Sequence, residues 1–188
     1  CVVESESLLT EIDSKFGDAD HGLTMSKIAG AVSAAVEASE GGVKSMLDDA
    51  AMAVMELNGG SAVPLWNTWL DGMQEAAPAG DAVDVAGLQA MFANAFEALD
   101  DISGAKEGDK TMMDALIPAV EAIQACPSDD IKEILEAGAK AALAGAASTV
   151  EMKANFGRAR NYGERSIGYA DSGATSWSCM FESFAQAL

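Results

Sequence analysis

Apolar residues recur at three- and four-residue intervals along nearly the whole chain, which points to helices packed on helices. The clearest stretch is Ile131, Ile134, Leu135, Ala139, Ala142, Leu143 and Ala146, one stripe down a helix for which Ser128 is the expected cap. Breaks rich in Gly, Asp and Pro divide the pattern into eight segments, at about 2–14, 23–39, 43–57, 62–77, 84–100, 110–125, 129–154 and 174–187. Pro64 suits the first turn of the fourth, where its missing N–H costs little. Pro118 falls inside the sixth and predicts a kink or a break there. Hydrophobic residues are 49% of the chain and aromatics only 6%, so close packing through small side chains is expected and a disordered acidic tail is excluded. Met25, Met46, Met52, Met55, Met112 and Met113 sit at helical spacing and are assigned to the core. With no repeat, low-complexity tract or linker, residues 1–188 read as one all-α domain. Because the sequence opens on Cys1 rather than Met, the chain reads as one whose first residues are not shown.

Short connections favour antiparallel neighbours, hence an eight-helix up-and-down bundle or barrel. In that topology the loops after odd-numbered helices share one end. They contain Gly17-Asp18-Ala19-Asp20-His21-Gly22, then Gly59-Gly60-Ser61-Ala62, then Gly104-Ala105-Lys106-Glu107-Gly108-Asp109-Lys110-Thr111, and last the arginine-bearing stretch from about Asn155 to Gly173. Among the glycine-rich or charge-dense loops, Glu40-Gly41-Gly42 alone falls at the other end. Parity alone gathers the unusual chemistry into one candidate site.

The formal net charge of −19 excludes nucleic acid and anionic membrane surfaces as partners, since both require a positive footprint. No apolar run reaches the roughly 18 residues needed to span a bilayer. Cys1, Cys126 and Cys179 match neither a zinc spacing nor a disulfide framework, and a reducing cytoplasm is the expected compartment. One histidine, His21, leaves no histidine-rich metal site.

Asp13, Asp18 and Asp20 form the strongest chemical signal. Asp13 is expected to close the first helix, while Asp18 and Asp20, two apart in a loop, can face the same side. Three converging carboxylates repel one another, and a hard divalent cation such as magnesium removes that repulsion while leaving positions for phosphate oxygens. A helix starting near Gly22-Leu23-Thr24 offers free N–H groups and a positive dipole end to the same phosphates. Gly59 to Ala62 repeats that arrangement, and Asp171-Ser172-Gly173 precedes the eighth helix. Arg158, Arg160 and Arg165 share one loop in a chain with 11 basic residues, and an arginine there suits a transferring phosphoryl group. A calcium-like structural loop or solvated helix-capping aspartates are the plain alternatives for the acids, and salt bridging to the acidic surface is the alternative for the arginines. No Walker-type loop and no protein-kinase signature is present.

Gly17-Asp18-Ala19-Asp20-His21-Gly22, Gly108-Asp109-Lys110-Thr111-Met112 and Gly163-Glu164-Arg165-Ser166-Ile167-Gly168 together resemble the nucleotide-binding L-subunit family of bacterial dihydroxyacetone kinases, in that family's order and across the chain. The resemblance implies an eight-helix barrel with ADP or ATP and two magnesium ions at one end. It implies Asp13, Asp18 and Asp20 as metal ligands and Arg158 and His21 as catalytic residues. It implies nucleotide contacts from His21, Gly22, Leu23, Thr24, Ser61, Ala62, Ser103, Gly104, Met112, Arg158, Asp171, Ser172 and Gly173, with Met112 beside the adenine. It further implies a cytoplasmic homodimer that transfers phosphate from resident nucleotide to dihydroxyacetone on a separate K subunit. A phosphohistidine relay (M) subunit would supply the phosphate, and a transcription regulator is a further possible partner. The chain departs from the family at Ala19, where glycine is usual, at Ala62 and Val63 in the second glycine-rich loop, and at Ser172, where proline is usual. An ATP-using kinase domain for dihydroxyacetone or a related ketose, and a nucleotide-dependent regulatory module, stand as alternatives.

Overall fold

The structure is a computed structural model and describes residues 2–188. The part that Cys1 plays therefore lies outside the described residues. Eight α-helices occupy it: α1 Glu6–Asp13, α2 His21–Ala38, α3 Val43–Met55, α4 Ala62–Ala76, α5 Val85–Ser103, α6 Met113–Ala125, α7 Ile131–Ser148 and α8 Ser172–Gln186, with no strand among the described residues. Two 3₁₀ segments, Thr149–Glu151 and Ala159–Ser166, interrupt the long α7–α8 connection. Each helix packs on the next, and α8 turns back onto α1 and closes the bundle. No helix among the described residues is long and apolar enough to cross a membrane.

The core is aromatic at its centre and small at its seams. Trp69 meets Trp177 edge-on at 5.1 Å and Phe92 at 5.7 Å, and Trp66 stacks on Trp177 at 4.7 Å. These rings come from α4, α5 and α8, so α8 is buried nearly all round, including Ser176 and Ser178. Trp69 and Phe92 are fully buried, and each contributes about 2–3 kcal/mol of apolar burial relative to exposure.

Four expectations change. The sixth helix runs unbroken through Pro118. Proline removes the N–H that would meet the Asp114 carbonyl, and α7 instead brings Gly145 against that oxygen, where a Cβ would stand at 1.9 Å. Asp130, not Ser128, caps α7 and accepts from the Lys132 N–H at 2.9 Å; Ser128 sits two residues outside and donates to Glu133 at 2.6 Å. The α7 stripe buries Ile134, Leu135, Ala139, Ala142 and Ala146, but Leu143 is half exposed. Met25, Met112 and Met113 are core, Met46 is half-buried, and Met52 and Met55 face outward. On α3 the inward stripe is Leu47, Ala50, Ala51 and Val54, a 3–4–7 spacing that leaves 52 and 55 on the opposite face.

Candidate active site

Helix parity places the loops as expected. A cleft of about 620 Å³ at one end is lined by residues drawn from within 12–24, 60–66, 102–112 and 156–177, that is, from all four odd-to-even connections. That size suits a small-molecule ligand. At the opposite end the Val43 N–H donates to the Gly80 carbonyl at 3.2 Å, joining the α2–α3 and α4–α5 loops. All four even-numbered helices thus begin at the cleft. The residues heading α2 and α4, namely Asp20 and Ser61, make no side-chain cap, so these N-termini keep donors for an anion, whereas the first N–H of α6, on Met113, donates to the Thr111 hydroxyl at 3.2 Å.

Asp13 ends α1, where the helix dipole disfavours a negative charge. Its loop folds tightly back: the Gly17 N–H donates to the Asp13 carbonyl at 2.6 Å, and a Cβ on Gly17 would stand 2.2 Å from the Asp13 carboxylate. Ala19 adopts a left-handed φ of 62°, which turns the chain between Asp18 and Asp20. The outcome is that Asp13, Asp18 and Asp20 each present a carboxylate oxygen within 4.8 Å of the others. Asp13 Oδ2 is buried without a hydrogen-bond partner. A buried, unpaired carboxylate oxygen beside two more carboxylates is costly alone and fits a hard divalent cation.

The electrostatics agree. Arg158 pairs with Asp18 and holds its carboxyl below the usual range. Asp20 is pushed up by burial and by its neighbours Asp18 and Asp13. Both partners of the Arg158–Asp18 pair are largely solvent-accessible, so the pair is weak and easily exchanged for another anion. His21 bridges α2 and α8, its Nε2 lying 3.0 Å from Ser176 Oγ, and burial lowers its pKa so that the neutral ring is favoured. Asp171 caps α8 by accepting from the Ala174 N–H at 2.7 Å, yet burial pushes its carboxyl up to about 6.

Of the residues expected at the site, Asp13, Asp18, Asp20, His21, Thr24, Ser61, Ala62, Ser103, Met112, Arg158, Asp171, Ser172 and Gly173 line the cleft. Gly22, Leu23 and Gly104 are not among the lining residues. Gly22 lies against α1, where a Cβ would stand 2.2 Å from the Glu6 carbonyl, Leu23 is half exposed, and Gly104 ends α5 at φ 65°. Arg165 lies over the Tyr162 ring at 5.7 Å instead of reaching the acids.

Two features escaped the sequence reading. Phe16 contacts Tyr162 at 5.0 Å and Tyr169 at 5.2 Å, fastening the acidic loop to the α7–α8 connection. Lys110 is buried, and its Nζ donates to four main-chain carbonyls of that same connection. The glycine-aspartate-lysine run containing Lys110 was the available signal, but no spacing rule gives that lysine a partner.

The family profile of the DAK2 domain matches residues 15–186. The chain is 35% identical over 190 residues to the PEP-dependent dihydroxyacetone kinase, ADP-binding subunit DhaL, of Escherichia coli (strain K12), covering 98% of this chain and 89% of that protein. It is 36% identical over 182 residues to the D-erythrulose kinase of Mycolicibacterium smegmatis, covering 93% of this chain and 31% of that protein. Among solved structures, the dihydroxyacetone kinase from C. freundii in complex with AMP-PNP and Mg2+ matches with a TM-score of 0.73 at 24% identity. That match covers 100% of this chain and 32% of the other and is a likeness of fold.

Proposed function

The chain belongs to the DAK2-domain family, and from that premise we propose that it is the ADP- and magnesium-binding subunit of a dihydroxyacetone kinase. It is a phosphotransferase whose acceptor is an alcohol group. The observation that carries the reading is the trio Asp13, Asp18 and Asp20, with its orphaned Asp13 oxygen, at a cleft into which the uncapped starts of α2 and α4 open.

In this reading the three carboxylates hold two magnesium ions, which when bound neutralise the acids and spread the charge of a nucleotide's phosphates. The main-chain N–H groups heading α2 and α4, with the Thr24 and Ser61 hydroxyls, receive phosphate oxygens. Met112, beside Gly173 at the cleft wall, packs on the base. Arg158 exchanges Asp18 for the phosphoryl group in transfer, where a planar cation stabilises spreading negative charge. Neutral His21 gives its one N–H to Ser176 Oγ, whose own proton goes to the Gly173 carbonyl, and so orders the cleft wall beside the phosphates. Dihydroxyacetone is held on a separate K subunit, and a phosphohistidine relay subunit rephosphorylates the bound ADP. Relatives named as PEP-dependent or PTS-dependent ADP-binding subunits support this division of labour. Homodimerisation, and recognition of the nucleotide state by a transcription regulator, are further parts of the proposal.

A second reading, a ketose kinase domain that consumes ATP directly, is favoured by the similarity to D-erythrulose kinase. Denaturing the purified protein and chromatographing what it releases separates the two. Stoichiometric ADP is the expected result; an empty protein that turns over ATP favours the second reading, and neither binding nor turnover overturns both. Arg158→Ala is expected to slow transfer by more than it weakens nucleotide binding, measured by single-turnover rates beside a binding titration. Equal losses in the two would remove the arginine from the transition state.

A further inference from the structure

Lys110 is only 2% exposed, in a loop with a left-handed φ of 62°. Its Nζ lies 2.7 Å from the Thr149 carbonyl, 3.2 Å from Met152, 2.9 Å from Ser166 and 2.5 Å from Tyr169. An ammonium has three protons, and here it is met by four oxygens. Four shared carbonyl oxygens around one ammonium give it the coordination of a monovalent cation in a ring of main-chain carbonyls. Asp114 and Asp171 add negative charge from farther off.

The four carbonyls belong to one irregular segment, whose backbone groups lack a continuous helical ladder. Thr149 and Met152 stand at its start, Ser166 and Tyr169 near its end. Between them lies Arg158, and directly beyond them lie Asp171, Ser172 and Gly173. The lysine is itself firmly mounted. Asp114 accepts from the Gly108 and Thr111 N–H groups at 2.6 and 2.7 Å, and the Asp109 carbonyl accepts from the Asn155 N–H at 3.1 Å. We propose that the Lys110 ammonium is a built-in monovalent cation, caged by four main-chain carbonyls, that sets the α7–α8 connection over the cleft. Lys110 is a positioning residue that acts through Arg158 and the start of α8. Its effect on nucleotide binding rests on the function proposed above; its effect on the segment does not.

Lys110→Gly suits the left-handed backbone and leaves the cage open, whereas Lys110→Met fills it with an uncharged chain. In lithium chloride both variants are expected to bind Mg·ADP about tenfold more weakly or worse than the native protein, because buried carbonyls lose their donor. They are also expected to exchange the amides of residues 149–169 faster. Potassium or ammonium chloride at equal ionic strength should restore Lys110→Gly, in melting temperature, exchange and affinity, while leaving Lys110→Met and the native protein unchanged. A merely structural lysine would show no such cation selectivity. Native-like exchange and affinity in Lys110→Gly, or losses that neither cation reverses, would overturn the proposal. Should Lys110→Gly fold poorly, its melting temperature in potassium against lithium decides alone, and an equal value in both overturns the cage. A native protein that fails to bind Mg·ADP would count against the function reading, and the exchange and melting data would still decide the role of Lys110.

Discussion

Ala19 and Lys110 are the non-glycine residues described with positive φ, both at 62°, and each lies in a loop that builds the cleft. For an L-residue that conformation costs roughly 1–2 kcal/mol. At Ala19 the cost secures the turn that brings Asp18 and Asp20 to one side, and it explains why the resemblance led to an expectation of glycine there. Ala19→Gly is expected to stabilise the fold by about 0.5–1 kcal/mol, the relieved strain less the added freedom of the unfolded chain. Denaturant melts would show it, and a loss of stability would mean that the methyl group packs usefully. Asp171 carries a pH signature of its own. Its carboxyl titrates near 6 in the fold against 3.8 in the open chain, so between those values the native state holds the extra proton. Stability from this group is therefore greatest at the acid side and declines as pH rises through about 6, by at most about 3 kcal/mol. Asp171→Asn keeps a capping side chain and should lose that slope, which melting curves from pH 4 to 7 would reveal. The acids were legible from spacing because side-chain type carried the signal. Lys110 was not, since its partners are main-chain oxygens 39 to 59 residues away.

At the scale of elements, alternation of direction did most of the predictive work. Once eight helices were counted, the odd-to-even loops had to share an end, and the cleft draws on all four of them. Helix faces were harder to read. Methionine and leucine match an apolar stripe wherever they fall, and only the packed neighbours show that Met52, Met55 and Leu143 look outward. The α7 cap went to Asp130 because its carboxylate reaches the Lys132 N–H, while Ser128 is occupied with Glu133. Pro118 misled for a related reason. Its disruption is local, and Gly145 on the neighbouring helix answers it by offering a Cα–H to the freed Asp114 carbonyl. Gly145→Ala would drive a methyl into that oxygen and is expected to cost about 1–3 kcal/mol by separating α6 from α7. An unchanged unfolding midpoint would show that the two helices part freely.

Over the whole molecule, a net charge of −19 means that compaction works against self-repulsion everywhere, and most acutely where Asp13, Asp18 and Asp20 meet. Site binding and general screening can be told apart because they respond differently to salt. Sodium chloride relieves repulsion over the entire surface, whereas magnesium at the trio acts through one place that a single substitution can disable. With Mg·ADP at a hundred times its dissociation constant, the linked gain is about 2.7 kcal/mol, or a rise in melting temperature of roughly 5–10 °C for a chain of this length. Asp18→Asn should abolish that rise while its helical circular dichroism and its response to sodium chloride stay native. The Arg158 pair is lost in the same variant, so Arg158→Ala serves as the control and should retain most of the magnesium effect. If Asp18→Asn still gained the full increment, or if sodium chloride at matched ionic strength produced it in the native protein, the acids would be solvated surface charge. The cleft would then need another means of holding phosphate in so negative a molecule.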